Sequence, residues 1–477
     1  MRFSFNRCTL ALAAALLLAF AGCSSGSHVS LGSGSTQSGT VSMVMTDTPP
    51  SGVTVLSFTV EVTAATLNTS TSKVTLPAPS SPIEVTRLQT ETGFLTSDVI
   101  PAGNYTSLTL TFAAPSLTFE NNTGATITVA GTMCTNGSVC TVAPTSANLT
   151  TTVSLPSTLA VTNGSSDTLD VDLSLANLFS STLSADFTAG SSVSIISPAL
   201  GQTLPSFEDV VAQVISVDTT HSTVTLQNFF GTFIATVNSS TTFHDFPVSC
   251  TSTLASCVST GQILAANMNL QSTAALIASD LYFKDANSSE PEVEGVITSV
   301  DVPDQQFNMV VLDESAPGGV SGLSIGSTAT VSATSATFKA DDVGMDTTGY
   351  LFTGSSDLMV GQEVSVLRNA SLSSGTSLTA DRVLLRASRI SATVSRTACP
   401  DFTLTNLPSI FGAAGTSQIT VFTSTSASNG ITEFAGTAKG CTQMEANGTA
   451  IVPVRGQLFS ISGGGLPTLV ASKVIAP

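Results

Sequence analysis

The chain contains no tryptophan, three tyrosines and three histidines, and only 10% of its 477 residues are charged. Sugar-binding proteins usually stack sugar rings on exposed aromatic side chains, so the missing tryptophans count against a glycan-binding surface. The shortage of histidines and acids counts against an enzyme, which needs a general base oriented by a carboxylate. No segment is long and apolar enough to span a bilayer, which takes about 20 residues.

Motifs of catalytic and phosphate-binding sites are also missing. The chain has no G-x-S-x-G, the sequence that presents a hydrolase nucleophile. His244 is followed by Asp245, which leaves a hydrolase using His244 as the least favoured hypothesis, with a turn or surface histidine as the alternative. The formal net charge of −18 counts against nucleic acid as a partner, because binding to phosphates needs basic patches. We expect no catalytic residue and no cofactor.

The first residues have the parts of an export signal. Arg2 and Arg7 precede an apolar run of about 12 residues that ends in small residues. The end of this run, Leu18-Ala-Phe-Ala-Gly-Cys23, resembles the bacterial lipobox, in which the cysteine is acylated and the chain is cut just before it. The resemblance implies a signal peptide over residues 1–22 and a lipid anchor on Cys23. An ordinary signal peptide with an incidental cysteine is the alternative.

Six cysteines remain after Cys8 and Cys23 are set aside. An even number in an exported chain predicts disulfide bonds. Each pair falls inside one predicted domain: Cys134 with Cys140, Cys250 with Cys257, and Cys399 with Cys441. Metal-binding thiols are the alternative, which the absence of any C-x-x-C pair disfavours.

Alternating apolar and polar residues dominate the rest of the chain. Residues 23–38 are rich in serine and glycine and form a flexible tether. Residues 39–204 contain short alternating runs such as Val55–Val62, separated by turn residues and without an amphipathic helix of useful length. Many short strands without helices predict a β-sandwich.

From about Glu208 onward the chain repeats one pattern three times. Val214-Ile-Ser-Val-Asp218 matches Ile297-Thr-Ser-Val-Asp301, and Gly261-Gln262 matches Gly361-Gln362. A third copy is weaker at its start, although Asp401-Phe-Thr-Leu404 and Glu433-Phe434 still correspond. Small units of about five or six strands close well as barrels, which removes exposed sheet edges. The predicted fold is therefore all-β, an N-terminal β-sandwich followed by three small repeated β-barrel-like domains over residues 208–287, 292–387 and 388–477.

Two family resemblances cover most of the exported chain. Gly39-Thr-Val-Ser-Met-Val-Met-Thr-Asp47 and Ile100-Pro-Ala-Gly-Asn-Tyr105 resemble a bacterial domain of unknown function of the DUF4382 type, typical of envelope lipoproteins. The repeats, with Gly-x-Val-x-x-Val-Asp and a Gly-Gln-x-Val strand, resemble the DUF5666 family. Neither resemblance implies a catalytic residue.

The function expected from these features is that of a lipid-anchored cell-envelope protein without catalytic activity. Its work would be surface display, adhesion or envelope binding, with the membrane reached through the anchor and an unknown envelope or extracellular partner. Ser24 and Ser25 after the cysteine favour the outer membrane. An extracytoplasmic glycan- or small-ligand-binding module is the alternative.

Calcium is the one metal that the acids suggest. Asp341, Asp342 and Asp346 could offer the hard oxygen atoms that calcium prefers. Their spacing is not that of an EF-hand loop, and solvated acids are the alternative.

Overall fold

The structure is a computed structural model. It describes residues 38–48, 54–78, 82–91, 93–146, 148–196, 206–228, 231–248, 254, 257–271, 275–285, 292–314, 322–341, 345–369, 372–425, 431–436, 438–444, 451–461 and 465–476. The predicted signal peptide, the lipidated Cys23 and most of the predicted tether lie outside these residues. No helix among the described residues has the length and hydropathy to cross a bilayer.

The N-terminal domain is built almost entirely from strands. They are β1 Ser38–Thr48, β2 Thr54–Asn68, β3 Lys73–Leu76, β4 Ile83–Glu84, β5 Gly93–Pro101, β6 Gly103–Glu120, β7 Ile127–Val129, β8 Thr132–Cys134, β9 Val139–Val142, β10 Thr150–Val161, β11 Ser166–Ser174 and β12 Val193–Ile196. A 3-10 helix, Thr86–Gln89, follows β4, and the short helix α1, Leu175–Leu178, follows β11.

Two sheets of this domain share one core. One sheet has the order β12-β11-β1-β5, and the other has the order β10-β6-β2-β3 with β4 on β2 and β9 on β6. Val41 and Met43 of β1 are fully buried in the same cluster as Phe58 and Val60 of β2. The alternation of these strands therefore places every second side chain between the sheets, and the predicted β-sandwich is confirmed.

Three six-stranded sheets follow, one for each predicted repeat. The first contains β13 Ser206–Asp218, β14 Thr223–Asn228, β15 Gly231–Thr236, β16 Thr242–His244, β17 Ile263–Leu270 and β18 Leu276–Asp285. The second contains β19 Glu292–Asp301, β20 Gln306–Glu314, β21 Thr328–Ser332, β22 Thr337–Ala340, β23 Glu363–Arg368 and β24 Ser377–Leu385. The third contains β25 Ala387–Ala398, β26 Asp401–Thr405, β27 Ile419–Thr423, β28 Glu433–Gly436, β29 Ile451–Phe459 and β30 Thr468–Ala476, with helix α2 Ser409–Ala413 between β26 and β27.

The three sheets have the same topology. In the first the order is β15-β14-β13-β17-β18-β16, and the other two repeat it. An added parallel pairing between the third strand and the last strand closes each sheet into a five-stranded barrel, as between β15 and β18. The remaining strand, such as β16, pairs in parallel with the same edge of the last strand, beyond the closing strand. This is the strand order of the OB-fold, and it confirms the barrel-like prediction.

The Gly-Gln pair that repeats one and two share, Gly261-Gln262 and Gly361-Gln362, has a structural reason. Gly261 and Gly361 both have positive φ, and their amides donate to the carbonyls of Val214 and Ile297 at 2.8 and 2.9 Å. The side chain of the next residue, Gln362, accepts from the Met359 amide at 2.7 Å. A tight turn that needs a left-handed glycine is thus closed by the glutamine after it.

The disulfide predictions are confirmed where the structure describes both cysteines. Cys134 bonds to Cys140, and Cys399 bonds to Cys441. Cys257 is also disulfide-bonded, but its partner lies outside the described residues. Its predicted pairing with Cys250 therefore stays a prediction.

Candidate functional site

The scarce basic side chains of this protein are gathered where its domains meet. The chain has 14 lysines and arginines. In the part of the chain that the structure describes, six of them form ion pairs in which both side chains are at most 23% exposed: Arg87, Lys284, Arg382, Arg386, Arg389 and Arg455. Burying a charge is costly unless it is paired, so their partners fix how the domains pack. We call this set and its acidic partners the junction cluster.

Arg87 joins the N-terminal domain to the second barrel. Its guanidinium donates to Asp313 of β20 at 3.0 Å and to Glu294 of β19 at 3.4 Å. The 3-10 helix that presents Arg87 is held by buried Glu84, whose carboxylate accepts from the amides of Phe58 and Arg87, both at 3.0 Å. Glu84 therefore fixes the position from which Arg87 crosses to the barrel.

Glu91 joins the N-terminal domain to the third barrel. Arg389 of β25 and Arg455 of β29 are directly opposite each other in the sheet. Like charges in such a pair repel. Glu91 relieves the repulsion because Arg455 Nε lies 2.9 Å from its Oε1, and Arg389 Nη2 donates to the same oxygen. Arg389 also donates through Nη1 to Glu363 of the second barrel, so this one guanidinium joins its own barrel to two other domains.

Asp341, a calcium candidate from the sequence, belongs to the same junction cluster. Its carboxylate accepts from Lys284 of the first barrel and from Arg386, which is 1% exposed. Asp342 lies outside the described residues, and Asp346 Oδ1 accepts from the Thr348 amide at 3.3 Å. Among the described residues, no group of three or more His, Cys, Asp or Glu side chains is placed to hold a metal. The calcium hypothesis stays untested.

Burial changes the acid–base behaviour of the junction cluster. Desolvation raises the pKa of Asp313 to about 7, although Arg87 opposes it. Burial also raises the pKa of Glu363 and of Glu84. For Arg389, burial lowers the pKa of the guanidinium, but the carboxylates of Glu363 and Glu91 outweigh it and the pKa is raised. Arg389 therefore stays charged at neutral pH, while Asp313 is partly protonated.

A cavity of about 420 Å³ lies beside these ion pairs. Its lining comes from the N-terminal domain, the second barrel and the third barrel, and its polar residues include Arg87, Gln89, Glu363, Arg389 and Ser391. Its apolar residues include Leu56, Val296, Leu312, Ile410 and Phe411. Ligand sites of ~300–1,000 Å³ commonly combine an apolar lining with a few placed polar groups, and this cavity has that character.

Helix α2 forms part of the cavity wall. Its Ser409 is held to the N-terminal domain, because its amide donates to Thr54 Oγ1 at 3.0 Å and its hydroxyl accepts from Asn122 at 2.7 Å. Phe411 packs against Gly361 so closely that a Cβ atom on the glycine would lie 2.3 Å from the ring. The turn glycine of the repeat thus also makes room for the cavity wall.

The histidine that the sequence singled out is placed differently from the hydrolase hypothesis. His244 Nε2 lies 3.0 Å from Asp280 Oδ1 of the neighbouring strand, not against Asp245. The imidazole stacks on Tyr282 with ring centroids 4.2 Å apart. The hydrogen bond from His244 lowers the pKa of Asp280. No hydrogen bond joins His244 to a serine or threonine hydroxyl in the described part of the chain, so the triad geometry is not assembled there.

Little in the amino-acid sequence indicates the junction cluster. Its members are spread from Arg87 to Arg455, and each occurs singly in a local pattern of strands and turns. One signal was present: Glu363 interrupts an apolar strand directly after the Gly361-Gln362 turn, where repeat one has Ile263. A charge at an inward strand position implies a partner.

Comparisons with known proteins relate the first domain to a described family. The search of curated proteins found no match. Among solved structures, the chain is similar to one titled drosophila Unr CSD456, with 12% identity, 55% of this chain and 94% of that chain covered, and a TM-score of 0.13. That score supports no conclusion about fold or function. Residues 38–197, which form the β-sandwich, match the family described as Domain of unknown function (DUF4382).

Proposed function

We propose that this protein is a lipid-anchored cell-envelope protein without catalytic activity, which holds four β-domains in one fixed arrangement for surface display, adhesion or envelope binding. The lipobox-like sequence ending at Cys23 supports the anchor. The junction cluster supports the fixed arrangement. The repeats, in this proposal, are domains of the DUF5666 type.

The junction cluster carries this proposal because of what buried ion pairs do. Such pairs add little net stability, yet losing one partner leaves an uncompensated buried charge. Domains joined by ordinary interfaces move relative to one another by default. Arg389 pairs with Glu91 of one domain and Glu363 of another. Any other arrangement of these domains would leave buried charges without their partners. The few charged side chains of this protein therefore lie where they determine how its domains pack.

Metabolic labelling with an alkyne fatty acid in a bacterial host tests the anchor. We expect the wild-type chain to be labelled and Cys23→Ser to lose the label. Cys8→Ser is the matched control, since Cys8 lies within the predicted signal peptide, and it should be labelled normally. Label that persists in Cys23→Ser would contradict the anchor.

Small-ligand binding is the second candidate function. The observation that favours it is the cavity of about 420 Å³ at the junction. Because three domains line this cavity, binding must be measured on the whole chain. Glycan-array screening of the whole chain tests whether the ligand is a glycan. If the chain binds no glycan on the array, glycan binding is excluded.

A further inference from the structure

The charged groups that line the junction cavity are closed to a ligand. Arg389 pairs through its two terminal nitrogens with Glu91 and Glu363, and its Nε is buried. Both oxygens of Glu363 accept from Arg389, and Arg87 pairs with two acids of the second barrel. A charged ligand would lose its hydration here without gaining a counter-ion. The cavity therefore favours an uncharged ligand.

One hydrogen-bond donor of the lining is open. Gln89 accepts from the Ser391 hydroxyl through Oε1 at 2.9 Å, and this bond orients its amide at the contact between the N-terminal domain and the third barrel. The Nε2 atom of Gln89 donates to no described residue and, unlike Arg389 Nε, it is not buried. Because Gln89 lines the cavity, an acceptor oxygen of a bound molecule, such as a carbonyl, would complete this amide.

The apolar part of the lining keeps surface that a ligand can cover. Val55, Val296 and Leu407 line the cavity and are half-buried. Ile451, which also lines it, is 45% exposed. Removing such surface from water is favourable in proportion to its area, so the complementary ligand has an apolar body. Asn406 is exposed as well, which puts the opening on the side of Asn406 and Ile451.

We propose that the junction cavity binds a small uncharged molecule with an apolar body and a carbonyl group, its carbonyl oxygen on Gln89 Nε2 and its body along Leu407 and Ile451. This proposal rests on the second candidate function and is independent of the anchor. A primary amide with a short apolar chain has both parts and carries no charge, so it is the simplest probe of the cavity.

Isothermal titration calorimetry of the whole chain tests the proposal with hexanamide and 3-phenylpropanamide as probes. The chain carries Cys23→Ser, so that no detergent is needed. We expect at least one of these amides to bind with one site per chain. Hexanoate and hexylamine are charged and acetamide lacks the apolar body, so each of the three should bind more weakly by about tenfold or more.

Two variants assign the binding to this cavity. Gln89→Leu removes the amide donor at similar size and should weaken amide binding by about tenfold. Ile451→Ser removes apolar surface at the opening and should weaken it by about threefold. Gln306→Leu, on an exposed position of β20, is the control and should leave binding unchanged. If Gln89→Leu does not fold, Ile451→Ser decides alone, because its side chain is exposed.

The proposal is overturned if neither amide binds, if hexanoate or hexylamine binds as well as hexanamide, or if the folded cavity variants keep wild-type affinity. Binding of hexanoate alone, weakened by Gln89→Leu, would overturn the uncharged ligand but keep small-ligand binding as a function. No binding of any probe, together with normal labelling of Cys23, would leave the anchored envelope protein. Loss of labelling with intact amide binding would do the reverse.

Discussion

Arg87 of the N-terminal domain donates to Asp313 of the second barrel at 3.0 Å, across 226 positions of the chain. Both side chains are at most 10% exposed. The ion pair does not connect strands within either sheet. Its effect is to hold the N-terminal domain and the second barrel in one relative position.

Removing one partner of this pair should be strongly destabilising. We expect Arg87→Met to lower the free energy of unfolding by about 3–5 kcal/mol, because Asp313 is left buried without its cation and Glu294 keeps only Arg386, 3.7 Å away. Urea denaturation measures the effect. Lys73→Met, at an exposed position of β3, is the matched control and should stay within about 0.5 kcal/mol of wild type. Equal stability of the two variants would show that Arg87 is not needed at the junction.

The raised pKa of Asp313 predicts a pH dependence with a definite sign. The pKa is about 7 in the folded chain against an ordinary value of 3.8, so between these values the folded state binds more protons than the unfolded state. The stabilisation that Asp313 contributes to the folded state is therefore complete below pH 3.8 and is lost as the pH rises through about 7.

Asp313→Asn isolates this effect. Over that pH window the melting temperature of wild type should fall relative to that of the variant. Differential scanning calorimetry at several pH values measures both. A wild-type melting temperature that rises relative to the variant over this window would contradict the raised pKa.

Gly361 should tolerate no side chain. It has φ of +88°, and a Cβ atom would lie 2.3 Å from the Phe411 ring. Gly349 has φ of +89° with nothing within 4 Å of its Cβ position, so Gly349→Ala reports the backbone strain alone, about 1–2 kcal/mol. We expect Gly361→Ala to lower the free energy of unfolding by clearly more than Gly349→Ala in urea denaturation. Similar losses would mean that Phe411 moves aside freely.

The two disulfides described here should differ in their contribution to stability. Cys399 and Cys441 are 42 positions apart, whereas Cys134 and Cys140 are 6 apart. Loop entropy predicts about 4 kcal/mol for the first and about 2 kcal/mol for the second. Non-reducing denaturation of the Cys399→Ser/Cys441→Ser and Cys134→Ser/Cys140→Ser double variants tests this order. A larger loss for the short loop would contradict the entropic account.

The sequence by itself determined the fold class and the division into repeats. Period-two alternation, as in Val55–Val62, is a local property that decides which side chains a strand can bury. Turn residues such as Gly261 and Gly361 act locally too, because only a few residues accept positive φ. The repeat correspondence of Phe243 with Phe338 and Phe434 follows from the same local rules, and each of them lies on the short fourth strand of its sheet.

Only the tertiary structure decided which charges meet and where a cavity forms. The partners of Arg389 are Glu91 and Glu363, and nothing in the neighbourhood of any one of them in the chain indicates the other two. The closing pairing of β27 with β30 is equally absent from local patterns. The physical reason is that ion pairing, barrel closure and domain packing depend on distances between segments far apart in the chain.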